Sequence, residues 1–297
     1  MRIVQDSPEH HFLTFLERMK KGADGWYGIH LAMSRKISHE SLISDLRQLP
    51  QKLEAAHHES LAFLEILKEQ AGGFDNCTTY LFSDSDIVML FEIETVDQQD
   101  ATVELFEKLK GMIGEKICEY SNIAKNLYNY QKLSDQKFLS ARRIEAYEAL
   151  ADSNRVSSIP VRRRRRPDGV VMVVEDDRFT ANYAAGILNK EYEVVSAKTG
   201  EEAILMHIEH APDMVFLDIH LPGLSGHETL QAIKQADPDA FIVMLSVDTV
   251  KSNIVSASQR GAAGFLKKPF SKDRLLHAVN QSPFIRQIKS GVGKNKS

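Results

Sequence analysis

The sequence predicts two folded halves, an α+β domain followed by a doubly wound α/β domain with a five-stranded parallel sheet. In the second half, short apolar runs alternate with segments whose apolar residues recur every three or four positions, and Gly or Pro separates them. In the first half, two β-rich runs flank a polar turn between helical patterns. With 297 residues, 43% of them hydrophobic, the chain is long enough to bury two cores.

The first half, residues 1–152, combines long helices with a β-hairpin. Apolar residues at helical spacing predict helices over 11–19, 41–70 with an interruption near Pro50, 98–112 and 116–150. Extended segments are predicted at 27–32 and, on both sides of the turn SDSD, at 78–82 and 87–93. This order of elements indicates an antiparallel sheet.

The second half, residues 169–284, repeats a strand and a helix five times. Strands are predicted at 170–174, 193–197, 214–217, 241–245 and 264–266, and helices at 179–188, 201–208, 227–236, 254–259 and 272–279. Repeated βα units form parallel sheets that helices cover on both faces.

The segment 153–168 between the halves, SNRVSSIPVRRRRRPD, is predicted to be a flexible linker because five arginines in a row repel one another. The run Arg162–Arg166 could also attract nucleic acid or anionic lipid, but the net charge of −4 argues against a general nucleic-acid binder. Residues 285–297 are predicted to be a basic, disordered tail, and no DNA-binding domain is expected after the second half.

Polar side chains stand at the ends of the predicted strands of the second half. Since the carboxyl ends of parallel strands meet in one crevice, Glu175, Asp176 and Asp218 should crowd together there. Such crowding favours a cation, and an all-oxygen ligand set favours Mg²⁺. Lys268 adds a positive charge and Ser246 a hydroxyl, so that a phosphoryl group could bind at this edge.

With these residues in order, the second half resembles the response-regulator receiver domain of two-component signalling, which has a flavodoxin-like fold. The acidic pair, the DxxxPxxxG motif at Asp218, the Ser246 position and the Lys268-Pro269 pair carry the resemblance. It implies that Asp218 is the phosphoacceptor and that Glu175, Asp176, Asp218 and the backbone carbonyl of His220 bind Mg²⁺. It also implies that Ser246 and Lys268 contact the phosphoryl group, and that Phe265 changes rotamer with Ser246 as the switch.

The resemblance predicts a two-component response regulator with self-catalysed phosphotransfer and dephosphorylation rather than a conventional enzyme. A histidine kinase or histidine phosphotransfer protein would be the donor, and phosphorylation would switch the N-terminal module or a docked partner. The face of the fourth and fifth strands would be the surface for a partner or a homodimer. The alternatives are a receiver-like scaffold that never takes phosphate and, less favoured, a nucleotide cyclase-like enzyme in the first half.

The hairpin YLFSDSDIVMLF resembles that of a degenerate GGDEF or related nucleotide-cyclase-like domain. Ser83 and Asp84 replace the glycines of that family, and no aspartate stands on the first strand to bind metal, so catalysis is not expected. An ordinary hairpin turn explains the same residues. The triplet Ser38-His39-Glu40 resembles part of a histidine-kinase phosphoacceptor box, but a helix start capped by Ser38 is the favoured interpretation.

We expect the protein to be cytoplasmic. The chain has neither a signal-peptide pattern at its start nor an apolar stretch long enough to cross a bilayer. Cys77 and Cys118 are too few for a disulfide framework and lack the spacing of a metal site.

Overall fold

The computed structural model describes residues 1–36, 39–43, 45–247 and 257–291. The chain divides into two compact units, Met1–Ile144 and Glu145–Ser297. The predicted boundary after residue 152 therefore falls inside the second unit. In the described ranges, none of the helices has the length and apolar character needed to cross a membrane.

The first unit contains five strands and five α-helices among its described residues. In chain order they are β1 Arg2–Val4, α1 Pro8–Met19, β2 Trp26–Leu31, α2 His39–Ile43, α3 Leu49–Gln70, β3 Cys77–Leu81, β4 Ile87–Glu92, α4 Val96–Ile113, β5 Cys118–Asn122 and α5 Ile123–Ala151. Helix α5 continues past Ile144 into the second unit.

The first sheet has the strand order β1-β3-β4-β2-β5. Strands β2, β3, β4 and β5 with helices α3 and α4 form a βαββαβ arrangement of the ferredoxin-like type, and β1 extends it by pairing parallel to β3. Leu64 of α3 and Leu105 of α4 pack in one hydrophobic cluster, on one face of the sheet. Phe12 of α1 and Tyr130 of α5 pack in another, on the opposite face, so helices cover both faces.

The predicted hairpin is confirmed, and two strands were not predicted. The prediction of one helix over 116–150 is wrong at its start, because residues 118–122 form β5, which pairs antiparallel with β2. Strand β1 has three residues, too few for a recognisable alternation. The predicted interruption near Pro50 is confirmed, because α2 ends at Ile43 and α3 begins at Leu49. Pro50 lies in the first turn of α3, where its missing N–H leaves no intrahelical bond unmade.

The second unit continues with α6 Ser153–Arg165, β6 Val170–Val174, α7 Arg178–Leu188, β7 Glu193–Ala197, α8 Gly200–His210, β8 Met214–Asp218, α9 Gly226–Ala236, β9 Ile242–Ser246, β10 Gly264–Lys267, α10 Lys272–Val279 and α11 Pro283–Lys289. The five strands pair only in parallel, in the order β10-β9-β8-β6-β7. The predicted doubly wound sheet is confirmed. Of the helix predicted at 254–259, residues 257–259 are helical and the others lie outside the described ranges.

The prediction of a flexible linker at 153–168 is wrong. Residues 153–165 form α6, which the carboxylate of Asp152 caps by accepting from the amides of Asn154 and Arg155. The arginines do not hold the segment extended, because Arg163 is buried against Asp237 and others bond to carbonyl oxygens. The predicted disordered tail is likewise helical as far as Lys289, whereas residues 292–297 lie outside the described part.

Candidate functional site

Four strand ends of the second sheet meet at one edge. Asp218, the last residue of β8, is in register with Leu245 of β9, and Ser246 is in register with Lys267 of β10. Glu175 follows β6, and its amide donates to the carbonyl of Ala197 at 3.0 Å. The parallel register therefore brings together side chains that are distant in the sequence.

Three carboxylates form the centre of this edge. Glu175, Asp176 and Asp218 each offer an oxygen within 4.8 Å of the others, and of the three only Asp176 is exposed. Asp177 has a different task, because its carboxylate caps α7 by accepting from the Thr180 amide at 2.8 Å. Asp177 therefore supplies the helix cap, whereas Glu175 and Asp176 remain at the sheet edge.

Lys268 is the cation of the cluster. Its ammonium group bonds to Glu175 and lies 3.0 Å from Oδ2 of Asp218. Burial tends to lower the pKa of Lys268, but the hydrogen bonds to these two carboxylates outweigh burial and raise it. Burial also raises the pKa of Glu175, which the bond from Lys268 offsets only in part. One ammonium group thus serves two buried carboxylates.

The loop after Asp218 is fixed by backbone contacts. The amide of Ile219 donates to Oδ1 of Asp218 at 2.8 Å, and the buried carboxylate of Glu201 accepts from the amide of Leu224 at 3.1 Å. A Cβ atom at Gly226 would lie 2.0 Å from the carbonyl oxygen of Asp218, so this position requires glycine. Glu201 carries no sequence signal of this role, because its partner is a backbone amide 23 positions further along the chain.

The other predicted residues lie around the same edge. Ser246 is buried at the end of β9, and its carbonyl accepts from the amide of Lys268 at 2.8 Å. Phe265 is half-buried in β10, and His220 is exposed two positions after Asp218. The structure thus brings Glu175, Asp176, Asp218 and Lys268 into one cluster, with Ser246 on the adjacent strand end.

The donor set fits Mg²⁺. Its side-chain ligands would all be carboxylate oxygens, and the three carboxylates carry more negative charge than the single Lys268 neutralises. Because Asp176 is exposed, the cluster is accessible to an ion from solvent.

A second cluster of buried charges lies in the first unit, and sequence reasoning missed it. The ammonium group of Lys137 in α5 bonds to Oδ2 of Asp84 at 2.7 Å and to Asp86. His30 Nε2 lies 3.1 Å from Oδ2 of Asp86, and the amide of Ser34 donates to its Oδ1 at 2.7 Å. Although burial raises the pKa of Asp86, the bonds from His30 and Lys137 lower it overall. Lys137 lies about fifty residues after the turn that it holds, so no local pattern could reveal the contact.

The same hairpin turn is held by two further contacts. Glu9 of α1 accepts from the amide of Ser83 at 3.1 Å, and the hydroxyl of Ser60 in α3 donates to the carbonyl of Ser85 at 3.2 Å. Side chains from three helices therefore close over the turn SDSD.

The comparisons with known proteins concern the second unit. The sequence profile of the response regulator receiver domain matches residues 171–280. Chemotaxis protein CheY of Bacillus subtilis (strain 168) is 39% identical over 114 residues, which make up 38% of this chain and 95% of CheY. The nitrogen assimilation regulatory protein NtrX of Azorhizobium caulinodans is 36% identical over 109 residues, 36% of this chain and 24% of NtrX.

Among solved structures, the receiver domain of NtrX from Brucella abortus is 36% identical and has a TM-score of 0.36. The match covers 38% of this chain and 96% of that domain. The aligned share of CheY is nearly its full length, and the acidic edge lies within the matched residues. Through its second unit, the chain belongs to the response regulator receiver family of two-component signalling.

Proposed function

We propose that Asp218 accepts a phosphoryl group from the phosphohistidine of a partner histidine kinase or histidine phosphotransfer protein. The observation that carries this proposal is the position of the Asp218 carboxylate, which shares one edge with two further carboxylates and contacts Lys268. In the transfer, a carboxylate oxygen of Asp218 forms a bond to phosphorus while the bond from phosphorus to the histidine nitrogen breaks. Hydrolysis of the acyl phosphate then restores the carboxylate.

The surrounding residues compensate charge and position the group. Asp176 and Asp218 would hold Mg²⁺ directly, Glu175 would hold it through water, and the carbonyl of His220 would complete the protein ligands. When bound, Mg²⁺ supplies neutralisation of the phosphoryl oxygens. Lys268 pairs with one of these oxygens, and the hydroxyl of Ser246 donates to another. Lys268 is suited to this task because its ammonium group already lies 3.0 Å from Asp218.

The switch in this proposal consists of Ser246 and Phe265. Movement of the Ser246 hydroxyl toward the phosphoryl group would open space for the half-buried ring of Phe265. The change would reshape the face formed by β9 and β10, which then binds a partner or a second copy of the chain. We place this signalling in the cytoplasm.

The N-terminal unit serves in this proposal as a non-catalytic regulatory or interaction module. Its hairpin within a βαββαβ arrangement supports a distant relation to nucleotide-cyclase-like domains. Lys137, Glu9 and Ser60 occupy the polar groups of the turn that would otherwise face a nucleotide. We therefore expect no cyclic dinucleotide from incubation of the protein with GTP and Mg²⁺.

Phosphorylation of the full chain by a small-molecule phosphodonor tests the proposal. In the presence of Mg²⁺, intact-mass measurement should detect one added phosphoryl group, and peptide mapping should locate it on Asp218. The D218N variant should give only background. D177N is the matched control, because Asp177 caps α7 and should leave labelling near the wild-type level.

The scaffold alternative predicts a different result in the same experiment. A receiver that never cycles would give no labelled Asp218 although its fold is intact by circular dichroism, and it would not bind beryllofluoride with Mg²⁺. That pair of results, or labelling that survives in D218N, would overturn the proposed role of Asp218.

A further inference from the structure

Helix α6 lies outside the residues that match the receiver family, yet its side chains are built into this unit. Arg163 is only 3% exposed. Its guanidinium bonds to the carboxylate of Asp237, donates to the carbonyl of Pro212 at 3.0 Å and lies 4.5 Å from the ring centre of Phe284. Asp237 follows the C-terminal end of α9, so this buried pair fastens α6 to that end.

Two further arginines fasten α6 to the C-terminal end of α8. Arg162 and Arg166 donate to the carbonyl oxygens of Ile208, Glu209, His210 and Ala211. These carbonyls are the ones that a helix end leaves without intrahelical partners, and positive groups there complement the helix dipole. Arg166 also lies 3.1 Å from Asp213, which precedes β8.

The opposite ends of the same two helices hold the loop that follows Asp218. Glu201, in the first turn of α8, accepts from the amide of Leu224. Ser225 caps α9, and the amide of Gly226 donates to the carbonyl of Ile219 at 2.9 Å. Helices α8 and α9 therefore contact the phosphoacceptor loop at their N-terminal ends and α6 at their C-terminal ends.

We propose that α6 is a regulatory latch whose docking on α8 and α9 is coupled to the phosphorylation state of Asp218. This inference rests on the proposed function of Asp218 and names the element through which that site communicates. In the chain, Asp152 alone separates α6 from α5.

Two physical features suit α6 to this role. Helices α8 and α9 are packed elements, and switching proteins commonly respond by small shifts of whole helices. The contact between Arg163 and Asp237 is costly to break, because both side chains are buried and separation leaves their charges without compensation. A small displacement of the loop can thus change the population of docked α6.

Coupling between two sites is reciprocal, which gives the proposal a sharp test in the full chain. Hydrogen exchange of the α6 amides should change at least about fivefold when beryllofluoride and Mg²⁺ are added. The variant R163M should change the affinity for beryllofluoride by a similar factor. The two changes must agree in sign: if beryllofluoride loosens α6, then R163M must bind beryllofluoride more tightly.

R165M is the matched control, because Arg165 is an exposed residue of the same helix and its replacement removes the same charge. R165M should leave the exchange rates of the α6 amides and the affinity for beryllofluoride at their wild-type values. The amides of β4, which pairs with β3 and β2 in the first unit, provide an internal reference for the exchange measurement.

The outcomes separate the two proposals. If fluorine NMR shows that the folded protein does not bind beryllofluoride, the proposed function fails. If beryllofluoride binds while α6 exchange is unchanged, or if the two changes have opposite signs, the latch is refuted and the role of Asp218 stands. If R163M does not fold, the exchange measurement on the wild-type protein alone still tests the latch.

Discussion

Each unit of the molecule contains a lysine that bridges two buried aspartate or glutamate side chains, and the two clusters differ in what surrounds them. Lys268 serves Glu175 and Asp218 at a sheet edge where a third carboxylate, Asp176, is exposed. Lys137 serves Asp84 and Asp86, and each of these three side chains is at most 7% exposed. The cluster around Lys268 carries more negative charge than its lysine neutralises and is accessible to solvent, whereas the cluster around Lys137 is closed to solvent.

The comparison shows that the composition of a charge cluster does not determine its use. At the hairpin turn, His30 and backbone amides supply the remaining donors, so the aspartates gain nothing from an external ion. At the receiver edge, one ammonium group faces three carboxylates, and a divalent cation would complete the compensation. The closed cluster is suited to fixing a turn, and the open one to binding and releasing a group.

The largest expected effect that distinguishes the clusters comes from replacing each lysine by methionine. K137M leaves two carboxylates buried without their cation and should lower the free energy of unfolding of the first unit by about 3–5 kcal/mol. K268M should lower that of the second unit by less, because Lys268 is itself partly exposed and the neighbouring carboxylate of Asp176 faces solvent. Added Mg²⁺ should reverse the effect of K268M and leave that of K137M unchanged.

Urea unfolding measures both changes. The fluorescence of Trp26, the only tryptophan, reports on the first unit, and hydrogen exchange of β8 amides reports on the second. Equal losses in the two variants, or rescue of K137M by Mg²⁺, would show that the clusters are equivalent.

An intermediate effect concerns pH and involves His207 of the second unit. Burial lowers the pKa of His207, although Asp237, 2.9 Å away, favours its charged form and Arg162 and Arg163 oppose it. The unfolded chain binds a proton at this histidine below about pH 6.5, whereas the folded chain binds it only at lower pH. Stability of the second unit should therefore fall as pH decreases below about 6.5, by at most about 1.4 kcal/mol per pH unit.

The variant H207Q checks this slope, because its amide can still donate to Asp237. Its stability should depend less on pH between about 6.5 and 5 than that of the wild type. Asp237 does not confuse the measurement, since the bonds from His207 and Arg163 outweigh burial and lower its pKa to about 2. Identical slopes for H207Q and the wild type would contradict the assignment.

The smallest expected effect comes from removing one helix-capping box in each unit. Thr95 with Gln98 forms a capping box at α4, and Ser225 with Glu228 forms one at α9. T95A and S225A should each lower stability by about 1 kcal/mol. Only S225A should also slow phosphorylation of Asp218, because α9 begins where the phosphoacceptor loop ends. Equal labelling rates for the two variants would show that the cap does not position the loop.

Sequence reasoning succeeded where local pattern and tertiary structure agree. Apolar runs that end at Glu175, Asp218 and Ser246 define buried parallel strands, and parallel topology alone brings their ends to one edge. The fold of the second unit and the carboxylate cluster could therefore be predicted without coordinates. The roles assigned to Asp218, Lys268, Ser246, Phe265 and the Mg²⁺ ligands remain predictions.

The errors arose where distant partners decide the conformation. The arginines of α6 appear repulsive in sequence, because the carbonyls of α8 and the carboxylate of Asp237 that bind them lie more than forty residues further along. Strand β5 has a polar sequence, CEYSN, beside a long helical pattern, and its pairing with β2 overrides local preference. Lys137 was missed for the same reason, since its partners lie on a hairpin far along the chain.

The three consecutive acids after β6 have separate tasks, since Glu175 is buried beside Lys268, Asp176 faces solvent and Asp177 begins α7. Their tasks follow from position along the backbone rather than from side-chain chemistry alone. Substitutions in this stretch would therefore impair one task at a time, whereas an insertion or deletion of one residue would reassign all three at once. During evolution, the stretch should accordingly vary in residue type far more readily than in length.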